Sequence, residues 1–164
     1  MLTCPYPAVR NSRKTALRVP ASNLQRANGG GLSFTILIVD DSELIRHALR
    51  CCIEKNTEWE ICGEAENGQV AVDKVQELSP DVVIMDFQMP VMNGIDAARQ
   101  ITKSAPDTAI VMLTMHNGEQ LRREARSAGI QEVLSKSESV ADHLLAALRK
   151  FCPPHQRFAP RPTG

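Results

Sequence analysis

Short apolar runs alternate with amphipathic segments through the middle of the chain. The apolar runs are bounded by polar or turn-forming residues and predict five buried strands, at 34–39, 59–65, 82–86, 108–114 and 131–136. Apolar residues at helical spacing predict five helices between and after them, at 42–55, 67–78, 94–104, 117–128 and 138–151. Apolar strands that alternate with helices favour a parallel sheet covered on both faces. The pattern therefore predicts one α/β domain over residues 34–151.

Two of the predicted helices carry further local signals. In the first, Ile45, Leu49 and Cys52 share one helical face, which we expect to point inward. In the second, Asn67 is placed to cap the first turn, and Ser79 followed by proline should end the helix.

The two flanks lack this pattern. Residues 1–33 hold three prolines, three consecutive glycines and five basic residues without an acid, and residues 152–164 hold four prolines. We expect a disordered basic extension and a disordered Pro-rich tail. We also expect residues 1–31 to be inert, either as a solvated tail or because translation starts at Leu32, where a TTG or CTG start codon would read as leucine. A basic arm that binds nucleic acid or an anionic membrane is the alternative.

Charge is balanced overall but unevenly distributed. Seven of the 19 Lys and Arg residues lie outside 34–150 and all 19 acids lie inside it, so this segment has a net charge of −7. An acidic domain argues against a nucleic-acid interface. No apolar run approaches the roughly 20 residues that span a membrane, and the N-terminus lacks a secretory signal pattern. We expect a cytoplasmic protein that binds neither nucleic acid nor membrane.

The five cysteines give no clear site. They include no CxxC pair and no histidine spacing of the kind that indicates zinc. Cys51 and Cys52 are adjacent in a predicted helix, and we interpret them as reduced helix residues.

Chemically useful side chains stand at the strand ends. Asp40 and Asp41 follow the first strand, Asp86 ends the third, Thr114 the fourth and Lys136 the fifth. Taken singly, each of these residues could have a purely structural role, such as a helix cap or a turn residue. In a parallel sheet, however, the carboxyl ends of the strands border the binding crevice. Three carboxylates, a hydroxyl and an amine should therefore converge there.

This combination predicts phosphoryl transfer. Three carboxylates held together disfavour ionisation of one another, and a divalent cation relieves that repulsion. An all-oxygen site with room for water suits Mg²⁺. An ammonium group and a hydroxyl around one carboxylate would complete a site in which Asp86 is the nucleophile and forms an aspartyl phosphate.

The motifs "ILIVDDSELIR", "DVVIMDFQMPVMNGIDA", "IVMLT" and "AGIQEVLSK" resemble the receiver domain of bacterial two-component response regulators. The resemblance covers roughly 34–150, with the motifs in the family's order and spacing. It implies a flavodoxin-like, doubly wound parallel sheet of five strands in the order 2-1-3-4-5, with five helices. The "LTMHN" stretch is similar to receivers that are usually joined to a helix-turn-helix output domain.

The resemblance also implies the roles of the acidic residues. Asp86 is the phosphoacceptor. Asp41 and Asp86 bind Mg²⁺ directly, together with the backbone carbonyl of Gln88, and Asp40 holds the metal mainly through water.

The remaining implied roles concern the phosphoryl group and the loop beside it. Thr114 hydrogen-bonds the phosphoryl group, and Lys136 pairs with Asp86 or the phosphoryl oxygens. The Met89-Pro90 pair and Gly94 shape the loop that leaves space above the acceptor.

Three positions depart from the family pattern. Val133 stands where an aromatic side chain often swings inward on activation, so activation should depend mainly on Thr114. Ser137 replaces the proline that often follows the lysine, which excludes a cis Lys-Pro bond. Met115 is larger than the usual residue after the threonine and should narrow access to the site.

Three functions compete. The favoured one is a stand-alone receiver, phosphorylated by a sensor histidine kinase or histidine phosphotransfer protein and acting through contact with a downstream protein; a homodimer formed on phosphorylation remains open. A DNA-binding transcriptional regulator is the first alternative. It requires a truncated chain, because the 14 residues after Lys150 are too few for a helix-turn-helix domain. A Mg²⁺-dependent phosphohydrolase is the second, but Gln88 stands where such enzymes usually place a general acid. On the favoured reading, the protein is not an enzyme beyond its own phosphorylation and dephosphorylation.

Overall fold

The computed structural model describes residues 33–116, 118–136 and 140–152. Its five strands are β1 (Thr35–Val39), β2 (Glu60–Ala65), β3 (Val82–Asp86), β4 (Ala109–Thr114) and β5 (Glu132–Ser135). Its five helices are α1 (Glu43–Asn56), α2 (Gly68–Leu78), α3 (Gly94–Ser104), α4 (Glu119–Ser127) and α5 (Val140–Phe151). The predicted alternation is confirmed, with element ends displaced by at most two residues. The predicted disordered flanks, 1–33 and 152–164, lie outside the described residues except at their inner ends. Cys152 does not belong to a disordered tail, because it is 1% exposed and packs in the core beside α5.

All five strands are parallel and lie in the order β2-β1-β3-β4-β5, which confirms the predicted doubly wound sheet. The register aligns the strand ends. Val39 pairs with Met85, and Asp86 pairs with Leu113, so β1, β3 and β4 finish side by side. The residues that follow these strands are thereby brought to one edge of the sheet.

Two apolar layers cover the sheet, one on each face. Alternate strand residues such as Leu37 and Met85 pack with α2, α3 and α4, and their neighbours such as Ile38 and Ile84 pack with α1 and α5. Both sets are fully buried, which explains the continuous apolar runs in the sequence. None of the described helices is long and apolar enough to cross a bilayer.

The predicted inner face of α1 is confirmed, since Leu49 lies in the core and Ile45 and Cys52 pack against it, but Ile53 belongs to this face as well. Leu49 is buried as expected, but the deepest residue is Ile53, at 0% exposure, whereas Ile45 and Cys52 are only partly buried. Because α1 packs against β1, β2 and α5, the depth of each of its residues depends on contacts outside its own sequence.

Side-chain caps start three of the helices just beyond the strand ends. Ser42 accepts a hydrogen bond from the backbone N–H of Ile45, Asn67 from that of Val70 and Asn93 from that of Asp96. The predicted cap at Asn67 is confirmed, and Ser79 ends α2 in a left-handed conformation. The caps keep the connections short and hold the loops close to the sheet edge.

The loop between β3 and α3 is tightly constrained. The N–H of Gly94 donates to the carbonyl of Phe87 at 2.9 Å, and the N–H of Met92 donates to the carbonyl of Pro90 at 2.7 Å. A Cβ on Gly94 would collide with the carbonyl oxygen of Asp86, so only glycine lets α3 begin this close to β3. Between these bonds Val91 is held at φ 67°.

Val91 is strained because a β-branched residue is disfavoured in the left-handed region. Replacing it with Asn, which tolerates this conformation, should increase the free energy of unfolding by about 1 kcal/mol. The measurement is urea unfolding in the absence of divalent cations. Met115→Asn is the control, because Met115 is also an exposed apolar residue but has negative φ; it should change stability by less than about 0.5 kcal/mol. If the two substitutions changed the free energy of unfolding equally, the backbone of Val91 would not be strained.

Candidate functional site

Three carboxylates converge at the carboxyl edge of the sheet. Asp40 and Asp41 follow β1 directly and Asp86 is the last residue of β3. One oxygen from each lies within 4.8 Å of the others, and this is the one such group of possible metal ligands among the described residues. Asp40 and Asp86 are buried, at 1% and 8% exposure, whereas Asp41 faces solvent. The predicted convergence of the acids is therefore present.

Lys136 joins two of these carboxylates. Its Nζ lies 2.7 Å from Oδ2 of Asp40 and 3.0 Å from Oδ1 of Asp86. Its backbone N–H donates to the carbonyl of Thr114, so the end of β4 also fixes its position. Two buried negative charges thus share one largely buried ammonium group.

Thr114 lies at the end of β4 next to the strand of Asp86. Its side chain is 1% exposed, and Oγ1 accepts a hydrogen bond from the N–H of His116 at 3.0 Å. Met115, in contrast, is 72% exposed. The hydroxyl is thereby tied to the start of the loop that leads to α4.

Gln88 is exposed and lines an open pocket beside the acids. The other residues that line it are Asp41, Phe87, Met89, Pro90 and Asn93. Four of these belong to the constrained loop after β3. The structure therefore places every predicted site residue at the same end of the sheet.

The sequence analysis missed the contribution of Arg46. From the first turns of α1 its Nη1 donates to the backbone carbonyl of Asp40 at 2.8 Å, and its Nε pairs with Glu64 of β2 at 3.1 Å. Arg46 thus links the backbone at Asp40 to the edge strand β2. No sequence signal identified it, because an arginine in an amphipathic helix normally faces solvent.

The charges in the cluster shift two pKa values. Burial, the largest effect, raises the pKa of the Asp86 carboxyl, assisted by the nearby Asp40 and opposed by Lys136. The pKa of Lys136 is also raised, because its contacts with the two carboxylates outweigh the opposing effect of burial. At neutral pH the ammonium group therefore remains charged and holds the two carboxylates together.

The donor set fits a hard divalent cation such as Mg²⁺, which prefers oxygen ligands and retains several waters. Both oxygens of Asp40 are already engaged, one by Lys136 and the other by the N–H of Ser42 at 3.0 Å. Asp41 is open to solvent on the pocket side. A cation bound there would have carboxylate oxygens on one side and water on the other.

The family model of the response regulator receiver domain matches residues 36–149. The chain therefore belongs to the receiver domains of two-component response regulators, and the resemblance read from its motifs is confirmed.

Curated relatives agree with this assignment. The transcriptional regulatory protein YdfI of Bacillus subtilis is 43% identical over 70% of this chain and 54% of its own length. The chemotaxis protein CheY of Thermotoga maritima is 42% identical over 62% of this chain and 83% of its own length. The chain spans about half the length of YdfI and of the similar regulator LnrK.

Solved structures show the same architecture. The response regulator domain of Thermotoga maritima CheB matches with a TM-score of 0.68 and 30% identity, over 78% of this chain and 99% of that domain. A chain of the CheX-CheY-BeF3-Mg+2 complex from Borrelia burgdorferi matches with a TM-score of 0.67 and 26% identity, over 73% of this chain and 90% of its own.

The raised pKa of Asp86 has a consequence for stability. The native state binds the Asp86 proton more tightly than the unfolded state does, so ionised Asp86 lowers stability at neutral pH. Asp86→Asn should therefore raise the melting temperature at pH 7, and the gain should disappear as pH falls toward about 4, where the unfolded-state carboxyl is protonated. Thermal unfolding measured from about pH 4 to about pH 8 checks this expectation.

Lys136→Met should have the opposite effect, because it leaves two buried carboxylates without their cation. A loss of about 3 kcal/mol at neutral pH is expected. Asp107→Asn, an exposed carboxylate outside the cluster, is the control for both changes. A lower melting temperature for Asp86→Asn at pH 7 would contradict the proposed balance of charges.

Proposed function

We propose that this receiver accepts a phosphoryl group on Asp86 from the phosphohistidine of a sensor histidine kinase or a histidine phosphotransfer protein. The observation that carries the proposal is the placement of Asp86 at the rim of the sheet, 3.0 Å from the Lys136 ammonium group and within 4.8 Å of two further carboxylates. The nucleophile, its charge partner and an oxygen site for a cation are thereby combined at one strand end.

The acceptor would act as a nucleophile. A carboxylate oxygen of Asp86 attacks phosphorus, a P–O bond forms, the P–N bond of the donor breaks and the electron pair leaves with the imidazole. The burial that raises the Asp86 pKa also removes part of the water shell that would weaken the nucleophile. Lys136 keeps the carboxylate oriented and stabilises the negative charge on the phosphoryl oxygens.

Bound Mg²⁺ would supply positive charge to the phosphoryl oxygens during transfer. Asp41 and Asp86 would hold it directly, with the backbone carbonyl of Gln88. Asp40 would contact it through water, which agrees with the engagement of both its oxygens by Ser42 and Lys136. The all-oxygen donor set supports this assignment.

Thr114 would change its hydrogen bonding when Asp86 is phosphorylated. Its hydroxyl would turn toward a phosphoryl oxygen on the neighbouring strand end and give up the hydrogen bond it accepts from His116. The loop before α4 would then follow. Val133 is a partly buried aliphatic residue packed against the core, so no aromatic ring at that position contributes to the switch.

The output of the whole protein would be a phosphorylation-dependent contact with another protein, without an enzymatic activity on other substrates. DNA binding is the second candidate, because YdfI and LnrK are transcriptional regulatory proteins of about twice the matched length. Other relatives are named protein-glutamate methylesterases, but the matched region covers 37% or less of their length. The receiver chemistry is common to all of these outputs.

Incubation with Mg²⁺ and acetyl phosphate should add one phosphoryl group per chain, because Asp86 is the acceptor and the three-carboxylate site holds the cation. Intact-protein mass spectrometry at neutral pH measures the added mass. Asp86→Asn should gain none and EDTA should block the reaction, whereas Asp73→Asn, an exposed carboxylate on α2, should react normally. Full labelling of Asp86→Asn would overturn the site assignment.

Phosphorylation should alter hydrogen exchange mainly in the loop after β4, in α4 and in β5. The reason is that Thr114 is tied to His116 on one side and to Lys136 on the other. Hydrogen exchange should be measured with and without beryllium fluoride, which mimics the phosphoryl group. In Thr114→Ala the change in exchange should be lost. Changes confined to α1 and α2 would contradict this route.

A further inference from the structure

His47 and Cys51 form a side-chain pair on the outer face of α1 that the phosphoryl-transfer site does not use. They are one helical turn apart, and Nε2 of His47 lies 3.5 Å from Sγ of Cys51. His47 is exposed and Cys51 is partly exposed. An imidazole and a thiol are thus presented together to solvent.

Their separation matches the spacing of two ligands on one zinc ion. Zinc binds cysteine sulfur at about 2.3 Å and histidine nitrogen at about 2.0 Å in tetrahedral geometry, which places the two ligand atoms about 3.5 Å apart. The pair therefore has the ligand spacing of a soft-metal site. Mg²⁺, which prefers oxygen, would not compete for it.

One chain supplies too few ligands. A structural zinc site has four, and in the described part of the chain these two residues belong to no group of three or more possible ligands. A twofold-related second copy would contribute the same histidine and cysteine. The result is two sulfurs and two nitrogens, a set typical of tetrahedral zinc.

The surrounding surface of α1 suits an antiparallel contact between two copies. Leu44, which is 78% exposed, and the small exposed Ala48 lie beside the pair. In an antiparallel twofold arrangement centred between positions 47 and 51, His47 of one copy faces Cys51 of the other. The same arrangement places the exposed Glu43 opposite the exposed Lys55, so the charges at the two ends are complementary.

We propose that His47 and Cys51 form half of a zinc site that a second copy of this chain completes across the α1 helices. One zinc ion lies on the twofold axis between two chains, and each thiol releases its proton to solvent on binding. This inference is independent of the phosphoryl-transfer site, which lies on other residues.

The test uses the reduced, untagged full chain with Zn²⁺ or Co²⁺ as the probe. Zn²⁺ should convert monomer to dimer in analytical ultracentrifugation at a stoichiometry of one metal per two chains. Co²⁺ should produce a thiolate-to-metal charge-transfer band, which the carboxylate cluster cannot give because it has no sulfur. Mg²⁺ should produce neither effect.

Cys51→Ser and His47→Gln should each remove the dimer and weaken Co²⁺ binding about tenfold or more, with an unchanged circular dichroism spectrum. Cys52→Ser and His143→Gln are the matched controls and should behave like the unaltered chain; Cys52 is turned toward the core and His143 is exposed on α5. A charge-transfer band without dimerisation would overturn the shared site, and dimerisation that survives Cys51→Ser would overturn the assignment of its ligands.

Discussion

The Lys136 ammonium group between the carboxylates of Asp40 and Asp86 is the interaction on which the site depends. Two acids buried this close together would otherwise drive each other toward protonation, and the cost of their burial would oppose folding. One cation at 2.7 and 3.0 Å offsets both effects and joins the ends of β1, β3 and β5. The same contact leaves Asp41 open to solvent, so the cluster keeps one side available for a metal ion and water.

The parallel sheet makes this contact geometrically available. Because all strands run in one direction, their carboxyl ends share one edge, and the order β2-β1-β3-β4-β5 puts the strands of Asp40, Asp86 and Thr114 next to one another. The two apolar layers fix the strands, and the capped helices keep the connecting loops short. Arg46 adds a tie from α1 to the backbone of Asp40. The buried strands therefore end where the candidate site residues begin.

Much of this could be predicted from the sequence because it depends on local pattern. Apolar runs located all five strands, and the residues that end them located the acids, Thr114 and Lys136. The strand order came from resemblance to a family, since periodicity does not determine which strands are neighbours. Contacts between distant residues escaped prediction. Ile53 became the deepest residue of α1 through packing against other elements, and Arg46 acquired its role only when β1 and β2 were brought beside it.

The two members of the Lys136–Asp40 contact are 96 residues apart in the chain. During synthesis the acidic turn and the acceptor strand leave the ribosome long before the lysine does. Until β5 has been made and has docked, Asp40 and Asp86 lack their shared cation, so the cost of burying both charges is not yet offset. The charge balance of the site is therefore completed only once Lys136 has been made, and a chain interrupted before position 136 would carry the proposed acceptor without the ammonium group that pairs with it.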